Sequence, residues 1–246
     1  MIKRLLLTAI TMVAITFISA AMAADALPYG YAQRYTITVN DPAALLAAMQ
    51  KFRSSATGMK GPSGVTVSQF IANGDSKATH SIVVTYPDAA AIDASRALNI
   101  GSKDWAEFGA SFQAVAETRT SGLSVLLKAR IKAGAVTSAN PVSLSTTLAV
   151  SDPQAFMTAF NKFWDSGAVS AFPGNTLLVN VLAAGESTVT HAVVFQANDM
   201  ATLLNGMQTL QSSADMAEYL RNAGSFRSVV GRDVSVTLWR SPMPTN

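Results

Sequence analysis

Residues 79–88 read Thr-His-Ser-Ile-Val-Val-Thr-Tyr-Pro-Asp, and residues 190–199 read Thr-His-Ala-Val-Val-Phe-Gln-Ala-Asn-Asp. The two stretches share their opening Thr-His, an apolar run and a closing aspartate. They are 111 positions apart, and the same offset relates further rare matches. These are Asp41-Pro42 and Asp152-Pro153, Lys51-Phe52 and Lys162-Phe163, Gly74 and Gly185, Asp104 and Asp215, and Ala106-Glu107 and Ala217-Glu218. A constant offset predicts two copies of one structural unit.

The first half of each copy predicts a strand, a helix and a hairpin. Residues 34–39 alternate between polar and apolar side chains, which is typical of a strand with one buried face. Asp41 then caps a helix whose first position is Pro42, where the missing N–H of proline costs nothing. Strands follow on both sides of Asn73-Gly74, which we expect to form a tight type I′ turn because both residues tolerate a positive φ.

The second half of each copy predicts a broken helix and a fourth strand. Asp88 caps the helix, and Ser102 provides a second cap that predicts a break. Alternating apolar residues at 123–127 form the last strand, so the order is β-α-β-β-α-β, twice. This order indicates an α+β fold made of two tandem ferredoxin-like repeats.

The two repeats are expected at residues 34–128 and 143–240, with a connector at 129–142. A four-stranded sheet with helices on one face leaves its other face to be covered. We therefore expect the repeats to pack sheet to sheet as an intrachain pseudo-dimeric α/β barrel. Two independent domains on a linker are the alternative.

The N-terminus has the three parts of a signal peptide. Lys3 and Arg4 are basic, residues 5–18 are largely apolar, and Ala21-Met22-Ala23 ends the segment. We expect residues 1–23 to be removed by cleavage after Ala23, which predicts a periplasmic or secreted protein with no membrane span after cleavage. An uncleaved membrane anchor is the alternative.

Charge and cysteine content exclude several classes of function. Loss of Lys3 and Arg4 lowers the formal net charge from +3 to +1, so no nucleic-acid partner is expected. The only compact basic run is Lys128, Arg130 and Lys132, which a solvated strand end explains as well as an anion site. The chain has no cysteine, which excludes disulfides, thiolate metal ligands and a cysteine nucleophile. No hydrolase, P-loop or dinucleotide-binding motif is present.

Two segments resemble the dimeric α/β barrel superfamily, which includes antibiotic-biosynthesis-monooxygenase-like and NIPSNAP-like domains. They are residues 79–88, a strand running into a capped helix, and residues 102–108, Ser-Lys-Asp-Trp-Ala-Glu-Phe, an aromatic-containing helix. The resemblance implies a fold rather than an activity, because the superfamily contains enzymes and non-enzymes. Its heme-degrading members are expected to carry a histidine on a helix, whereas both histidines here fall on predicted strands. We therefore transfer no catalytic residue and predict no cofactor.

The candidate ligand-binding residues are His80, His191 and Tyr86. The histidines are the only two in the chain and occupy the same position in both repeats. An imidazole can bind an anion, ligate a metal or act as a base, but we favour the structural explanation, in which duplication of one ancestral strand retained both residues. Alternation places Tyr86 on the same strand face as His80. No metal site is predicted, because two histidines need further ligands.

Acidic and aromatic residues on the helices have structural explanations. Glu107 and Glu218 are candidate catalytic carboxylates, yet acids near a helix start also favour the helix dipole. Trp105, Phe108 and Tyr219 lie on the same helices, and we expect them in the core.

The main hypothesis for function is therefore a non-catalytic, exported envelope protein that binds a small, mainly apolar ligand or a protein partner. The alternative is a cofactor-independent monooxygenase- or isomerase-like barrel enzyme that acts on an aromatic or polyketide-like compound, with His80 or His191 as the base. The sequence does not decide whether the protein is an enzyme.

Overall fold

The structure is a computed structural model that describes residues 28–185 and 187–244. The predicted signal peptide, residues 1–23 with its cleavage site after Ala23, lies outside the described residues. The elements are, in chain order, β1 (Tyr31–Val39), α1 (Pro42–Arg53), β2 (Gly64–Ala72), β3 (His80–Tyr86), α2 (Ala89–Asn99), α3 (Lys103–Val115), β4 (Ala116–Arg130), β5 (Val142–Val150), α4 (Pro153–Trp164), α5 (Gly167–Ala171), β6 (Asn175–Ala183), β7 (His191–Ala197), α6 (Met200–Gln211), α7 (Ala214–Ala223) and β8 (Arg227–Ser241).

The eight strands form one closed antiparallel barrel. Its order is β1-β3-β2-β8-β5-β7-β6-β4, and β4 pairs with β1 to close the ring. Each repeat contributes a four-stranded ferredoxin-like sheet, and the two sheets are joined by hydrogen bonds between β2 and β8 and between β4 and β6. The predicted fold of two tandem repeats in one pseudo-dimeric α/β barrel is confirmed, with the sheets bonded at both edges.

Side-chain caps start the helices where the sequence predicts them. The Asp41 carboxylate accepts the N–H of Ala44 at 2.9 Å, and Asp152 accepts that of Ala155 at 3.0 Å. Ser102 caps α3 after the break that ends α2. These bonds satisfy N–H groups that have no partner inside the helix.

The Asn73-Gly74 loop corrects one local prediction. Gly74 has a φ of +64°, but no non-glycine residue among those described has a positive φ, so the turn is not of type I′. The β3 strand begins only at His80, and the Asn73 side chain donates to the carbonyl of Ala78 at 2.7 Å. The asparagine therefore closes a wider loop instead of occupying a tight turn.

The two faces of the barrel wall have different surroundings. The helices cover the outer face, where the apolar core clusters lie. On the inner face Arg34 of β1 forms an ion pair with Asp233 of β8 at 2.9 Å, and its guanidinium lies 5.7 Å from the centre of the Phe70 ring. Because β1 and β8 are not neighbours in the sheet, this pair spans the barrel interior. None of the described helices is long and apolar enough to cross a membrane.

Candidate functional site

The two histidines lie in the core between the sheet and the helices. His80 and His191 are each 2% exposed. Their Nδ1 atoms share hydrogen bonds with the hydroxyls of Thr79 and Thr190, at 2.8 and 3.0 Å. The same hydroxyls accept backbone N–H groups of the first strand of each repeat, both at 2.9 Å. The Thr-His pair therefore ties the third strand of each repeat to its first strand.

The two imidazoles differ at Nε2. In the second repeat this atom lies 3.3 Å from the Asn180 side-chain nitrogen, and the His191 ring packs 5.0 Å from that of Phe156. In the first repeat the buried His80 Nε2 has no hydrogen-bond partner among the described residues. Burial lowers the pKa of both histidines, which favours the neutral imidazole. A ligand would reach either ring only if the helix layer opened.

The acidic residues at matching positions of the two repeats connect neighbouring helices. Glu107 forms an ion pair with Lys51 on α1 at 2.6 Å, and Glu218 forms the same pair with Lys162 on α4 at 2.5 Å. The adjacent Asp104 and Asp215 each accept a backbone N–H from the segment that follows α1 or α4, at 3.1 Å. These carboxylates line matching clefts of about 40 Å³ in the first repeat and about 230 Å³ in the second. These contacts between neighbouring elements give the acids a structural role in both repeats, in addition to the helix dipole.

The aromatic residues on α3 and α7 divide between core and surface. Tyr219 is buried and stacks on Phe163 at 4.8 Å, as expected, and Phe108 is half-buried. The expectation for Trp105 was wrong, because this side chain is 41% exposed although it lies 5.2 Å from the Phe52 ring. Trp105 packs against Phe52 and Phe108, and the rest of its surface faces solvent.

The basic run at the end of β4 contacts the second repeat. Lys128 and Arg130 lie over the Trp164 ring at 5.7 and 5.3 Å from its centre. Lys132 donates to the carbonyls of Ser170 and Phe172. These cations are committed to contacts within the chain, which favours a structural role over an anion site.

A polar network lies on the helix-facing side of the first sheet. Gln33 and Tyr35 belong to β1 and Tyr86 ends β3; we call these three residues the tyrosine cluster. The Tyr86 and Tyr35 hydroxyls both donate to Gln33 Oε1, at 3.0 and 3.3 Å. Burial and the neighbouring Tyr35 raise the pKa of Tyr86 to about 12, and burial also raises that of Tyr35. Both phenols therefore stay neutral hydrogen-bond donors near pH 7.

The second repeat has no such network at the corresponding positions. Gln33, Tyr35 and Tyr86 correspond to Leu144, Thr146 and Ala197. There the layer is filled by Phe172, which is 2% exposed and lies 5.0 Å from the Phe195 ring. The first repeat has Gly61 and Val84 at these two positions. A large aromatic volume in one repeat is thus replaced by glycine and a polar cluster in the other.

The helices above the tyrosine cluster cover it incompletely. The α6 helix buries Leu203, Gly206, Met207 and Leu210, whereas its counterpart α2 buries only Ala91. The α3 helix buries no residue. As a result Gln33, Tyr35 and Val84 are only half-buried, and solvent reaches this part of the sheet. A small ligand could replace that solvent.

Of the predicted ligand-binding residues, the structure places only Tyr86 in this network. His80 lies at the opposite end of β3, six residues and about 20 Å away along an extended strand. The prediction missed Gln33 and Tyr35. The signal that could have found Gln33 is the repeat itself, because this residue is polar on the core face where the second copy has the apolar Leu144; Tyr35 matches the polar Thr146 and gives no such contrast.

No family model and no curated protein sequence matches the chain. Solved structures do match it. A protein from Fusobacterium nucleatum subsp. nucleatum, named provisionally as a monooxygenase, is 14% identical over 88% of this chain and 94% of its own, with a TM-score of 0.56. A second provisional monooxygenase, from Lactobacillus acidophilus, is 11% identical over 87% of this chain and 97% of its own, with a TM-score of 0.55. An anthrone oxidase-like protein is 9% identical over 88% of this chain and 94% of its own, with a TM-score of 0.54.

These structures show which fold the chain has. The chain has the dimeric α/β barrel fold, in the form that joins both ferredoxin-like units in one polypeptide. The resemblance stated from the sequence is confirmed at the level of the fold. The structural similarity shows the fold, whereas sequence identities of 9–14% do not assign an activity to this chain.

Among the described residues, no group of three or more histidine, aspartate or glutamate side chains is arranged to hold a metal ion.

Proposed function

We propose that the protein is a monooxygenase-like barrel that binds a small, mainly apolar aromatic compound at the tyrosine cluster. One observation carries the proposal: two neutral phenols converge on a half-buried amide oxygen in the first repeat, where the second repeat is filled by Phe172. The names of the similar structures, monooxygenase and anthrone oxidase-like, support oxygenation as the reaction to test.

The cluster suits a ligand with a carbonyl or phenol oxygen. A ligand oxygen can take the place of Gln33 Oε1 and accept hydrogen bonds from the hydroxyls of Tyr35 and Tyr86. These donors would stabilise negative charge that develops on the oxygen when a neighbouring C–H bond loses its proton. The apolar Val84 between the two tyrosines offers a surface for the ring.

The reaction balances without an added reductant. An activated CH₂ group and O₂ give a carbonyl group and water; two electrons leave each C–H bond, and the two hydrogens end in the water molecule. The cluster holds no group that is a base near pH 7, because both phenols keep their protons. The substrate must therefore have an acidic C–H bond.

Because the cluster holds no base, we consider a second candidate function, which is ligand binding without catalysis. The same surface can bind an aromatic ligand without turnover, as expected of a non-catalytic envelope protein. Export through residues 1–23 and cleavage after Ala23 remain part of this proposal, and the intact mass of the exported protein tests them. A protein partner would be sought only if no small molecule binds.

Anthrone is a suitable probe, because it combines an aromatic ketone with an acidic CH₂ group. Binding is measured by calorimetry, and turnover by O₂ uptake and anthraquinone formation. We expect the double variant Tyr35→Phe/Tyr86→Phe to weaken binding about tenfold or more, because two hydrogen bonds are lost. Tyr219→Phe, in the second repeat, is the matched control and should leave binding unchanged.

The outcomes separate the two candidates. Binding with O₂ uptake above the buffer rate supports the oxygenase. Binding without O₂ uptake supports the non-catalytic protein. If the double variant binds as well as the unmodified chain, the tyrosine cluster is not the site.

A further inference from the structure

The Arg53 guanidinium, in the last turn of α1, has an unusual environment. Its Nε donates to Ser241 Oγ at 3.2 Å, Nη2 donates to the Ser63 carbonyl at 2.9 Å, and Nη1 lies 3.5 Å from Ser63 Oγ. All three acceptors are neutral. Within the described part of the chain no carboxylate lies within ion-pairing distance of Arg53.

Such an environment leaves a charge without compensation. The Arg53 side chain is half-buried, and this burial lowers its pKa. A guanidinium carries five N–H donors in a planar fork, so donors remain for a further acceptor. A partly buried cation is stabilised most by an anion that accepts two of them.

The backbone places Arg53 beside the tyrosine cluster. Ser63 directly precedes β2, and the pairing of Gly64 with Thr85 sets it next to Tyr86 on the neighbouring strand. By alternation, Ser63 and Tyr86 both face the helices. The Arg53 guanidinium, which donates to Ser63, therefore lies near the end of β2, and Tyr86 ends the neighbouring strand β3.

The loop that lies against Arg53 has a glycine at the same point. Gly61 has no side chain, and a Cβ there would lie 3.5 Å from Arg53 Nη1. At the corresponding positions the second repeat has Phe172 and, in place of Arg53, Trp164, which is 6% exposed. The first repeat thus has a cation and a glycine where the second has two buried aromatic rings.

We propose that the ligand of the tyrosine cluster is an aromatic acid, and that Arg53 binds its carboxylate. This inference rests on the proposed function, because it assigns the substrate class of the same site. The two phenols bind a second oxygen of the ligand, and Val84 contacts the ring between them. Arg53 then selects anionic over neutral aromatic compounds.

A purely structural role is the competing explanation. The bonds to Ser63 and Ser241 fasten the loop and the end of β8 to α1, so loss of Arg53 could lower stability alone. A structural role would change the affinity for charged and neutral ligands equally. The ratio of the two affinities therefore separates the explanations.

The test compares 6-hydroxy-2-naphthoate, which has a second oxygen for the two phenols, with its neutral methyl ester, on the full chain, by fluorescence titration. We expect the unmodified protein to bind the acid more tightly than the ester, and Arg53→Gln to lower the acid-to-ester affinity ratio about tenfold or more. Arg53→Lys keeps the charge but not the planar fork, and should keep part of the preference. Arg221→Gln, in the last turn of α7, is the matched control and should leave the ratio unchanged.

Thermal unfolding of each variant checks that it is folded before titration. If Arg53→Gln is not folded, Arg53→Lys is titrated in its place. An ester that binds as tightly as the acid to the unmodified protein would overturn the role of Arg53 and leave the ligand site intact. An unchanged ratio in a folded Arg53→Gln variant would also overturn it. Failure of both probes to bind would remove the proposed ligand site together with this inference.

Discussion

The two repeats have the same order of strands and main helices, but their helix layers are filled by different side chains. The second repeat closes its layer with aromatic side chains, among them Phe156, Phe160 and Phe172, and with Trp164. The first repeat builds a smaller cluster from aliphatic residues and leaves the tyrosine cluster half-buried. Since both copies keep the same caps and the same Thr-His tie, the fold does not depend on the aromatic filling. The difference teaches that the same scaffold holds either a closed aromatic layer or a layer that leaves polar groups partly exposed.

One pair of positions shows this division in detail. In the second repeat Trp164 lies on the helix, and Arg130 covers it from the strand at 5.3 Å. In the first repeat the cation is Arg53 on the helix, and it donates to Ser241 on the strand, which is the counterpart of Arg130. Cation and partner have exchanged sides, and the tryptophan has been lost from the helix. The exchange turns a closed packing contact into a position with free donors.

The largest expected loss of stability comes from a substitution that disrupts the closed aromatic layer of the second repeat. Phe172→Ala should lower the free energy of unfolding by about 3–5 kcal/mol, because it removes a fully buried ring and leaves a cavity beside Phe195. Urea unfolding measures the loss. Gly61→Ala, the counterpart change, should stay within about 0.5 kcal/mol, because the new methyl group meets only ordinary contacts. Equal losses at the two positions would contradict the difference between the layers.

A smaller effect concerns the two histidines. Asn180→Ala should lower the free energy of unfolding by about 1–2 kcal/mol, since the Asn180 amide lies 3.3 Å from both the Thr190 carbonyl and His191 Nε2. Gln69 occupies the corresponding position but is exposed, and Gln69→Ala should cost little. Gln69→Asn sharpens the comparison, because it offers the orphaned His80 Nε2 a partner and should raise stability. A loss on Gln69→Asn would mean that the two environments are not equivalent.

The pH dependence of stability follows from the same imidazoles. Both pKa values are lowered by burial below the ordinary value of 6.5, so the unfolded chain binds more protons than the folded chain once the pH falls below about 6.5. Stability should be full above that pH and decrease as the pH falls through the folded pKa values. Melting temperatures from pH 8 to pH 5 measure the slope. The double variant His80→Gln/His191→Gln should have a shallower slope, and an unchanged slope would show that other groups cause it.

The smallest effect is expected at the paired surface bridges. Lys51 and Glu107 are 69% and 60% exposed, and Lys162 and Glu218 are 69% and 40% exposed. Exposed ion pairs contribute at most about 1 kcal/mol, so double-mutant cycles with alanine should give coupling energies of about 0.2–1 kcal/mol in each repeat. The coupling should decrease in 1 M salt. A coupling energy above that range in one repeat would show that solvent screens this ion pair less than its exposure predicts.

Local sequence signals predicted most of the scaffold. Asp41 and Ser102 marked helix starts correctly, because a cap forms a hydrogen bond within a few residues. The turn at Asn73 was predicted wrongly because the Asn73 side chain bonds to Ala78, a choice that the dipeptide alone does not reveal. Trp105 was placed in the core because an aromatic residue on a helix usually packs inward, whereas it packs on Phe52 and Phe108 and stays 41% exposed.

The sequence by itself determined the repeat, the order of the elements and the fold, because alternation, caps and a constant offset are encoded along the chain. Only the tertiary structure decided which strand face meets the helices, that Gln33 joins Tyr35 to Tyr86, and that Arg53 faces no acid. Those properties depend on residues from separate strands and helices coming together. Periodicity shows that a residue lies on one face of a strand, but only packing shows what covers that face.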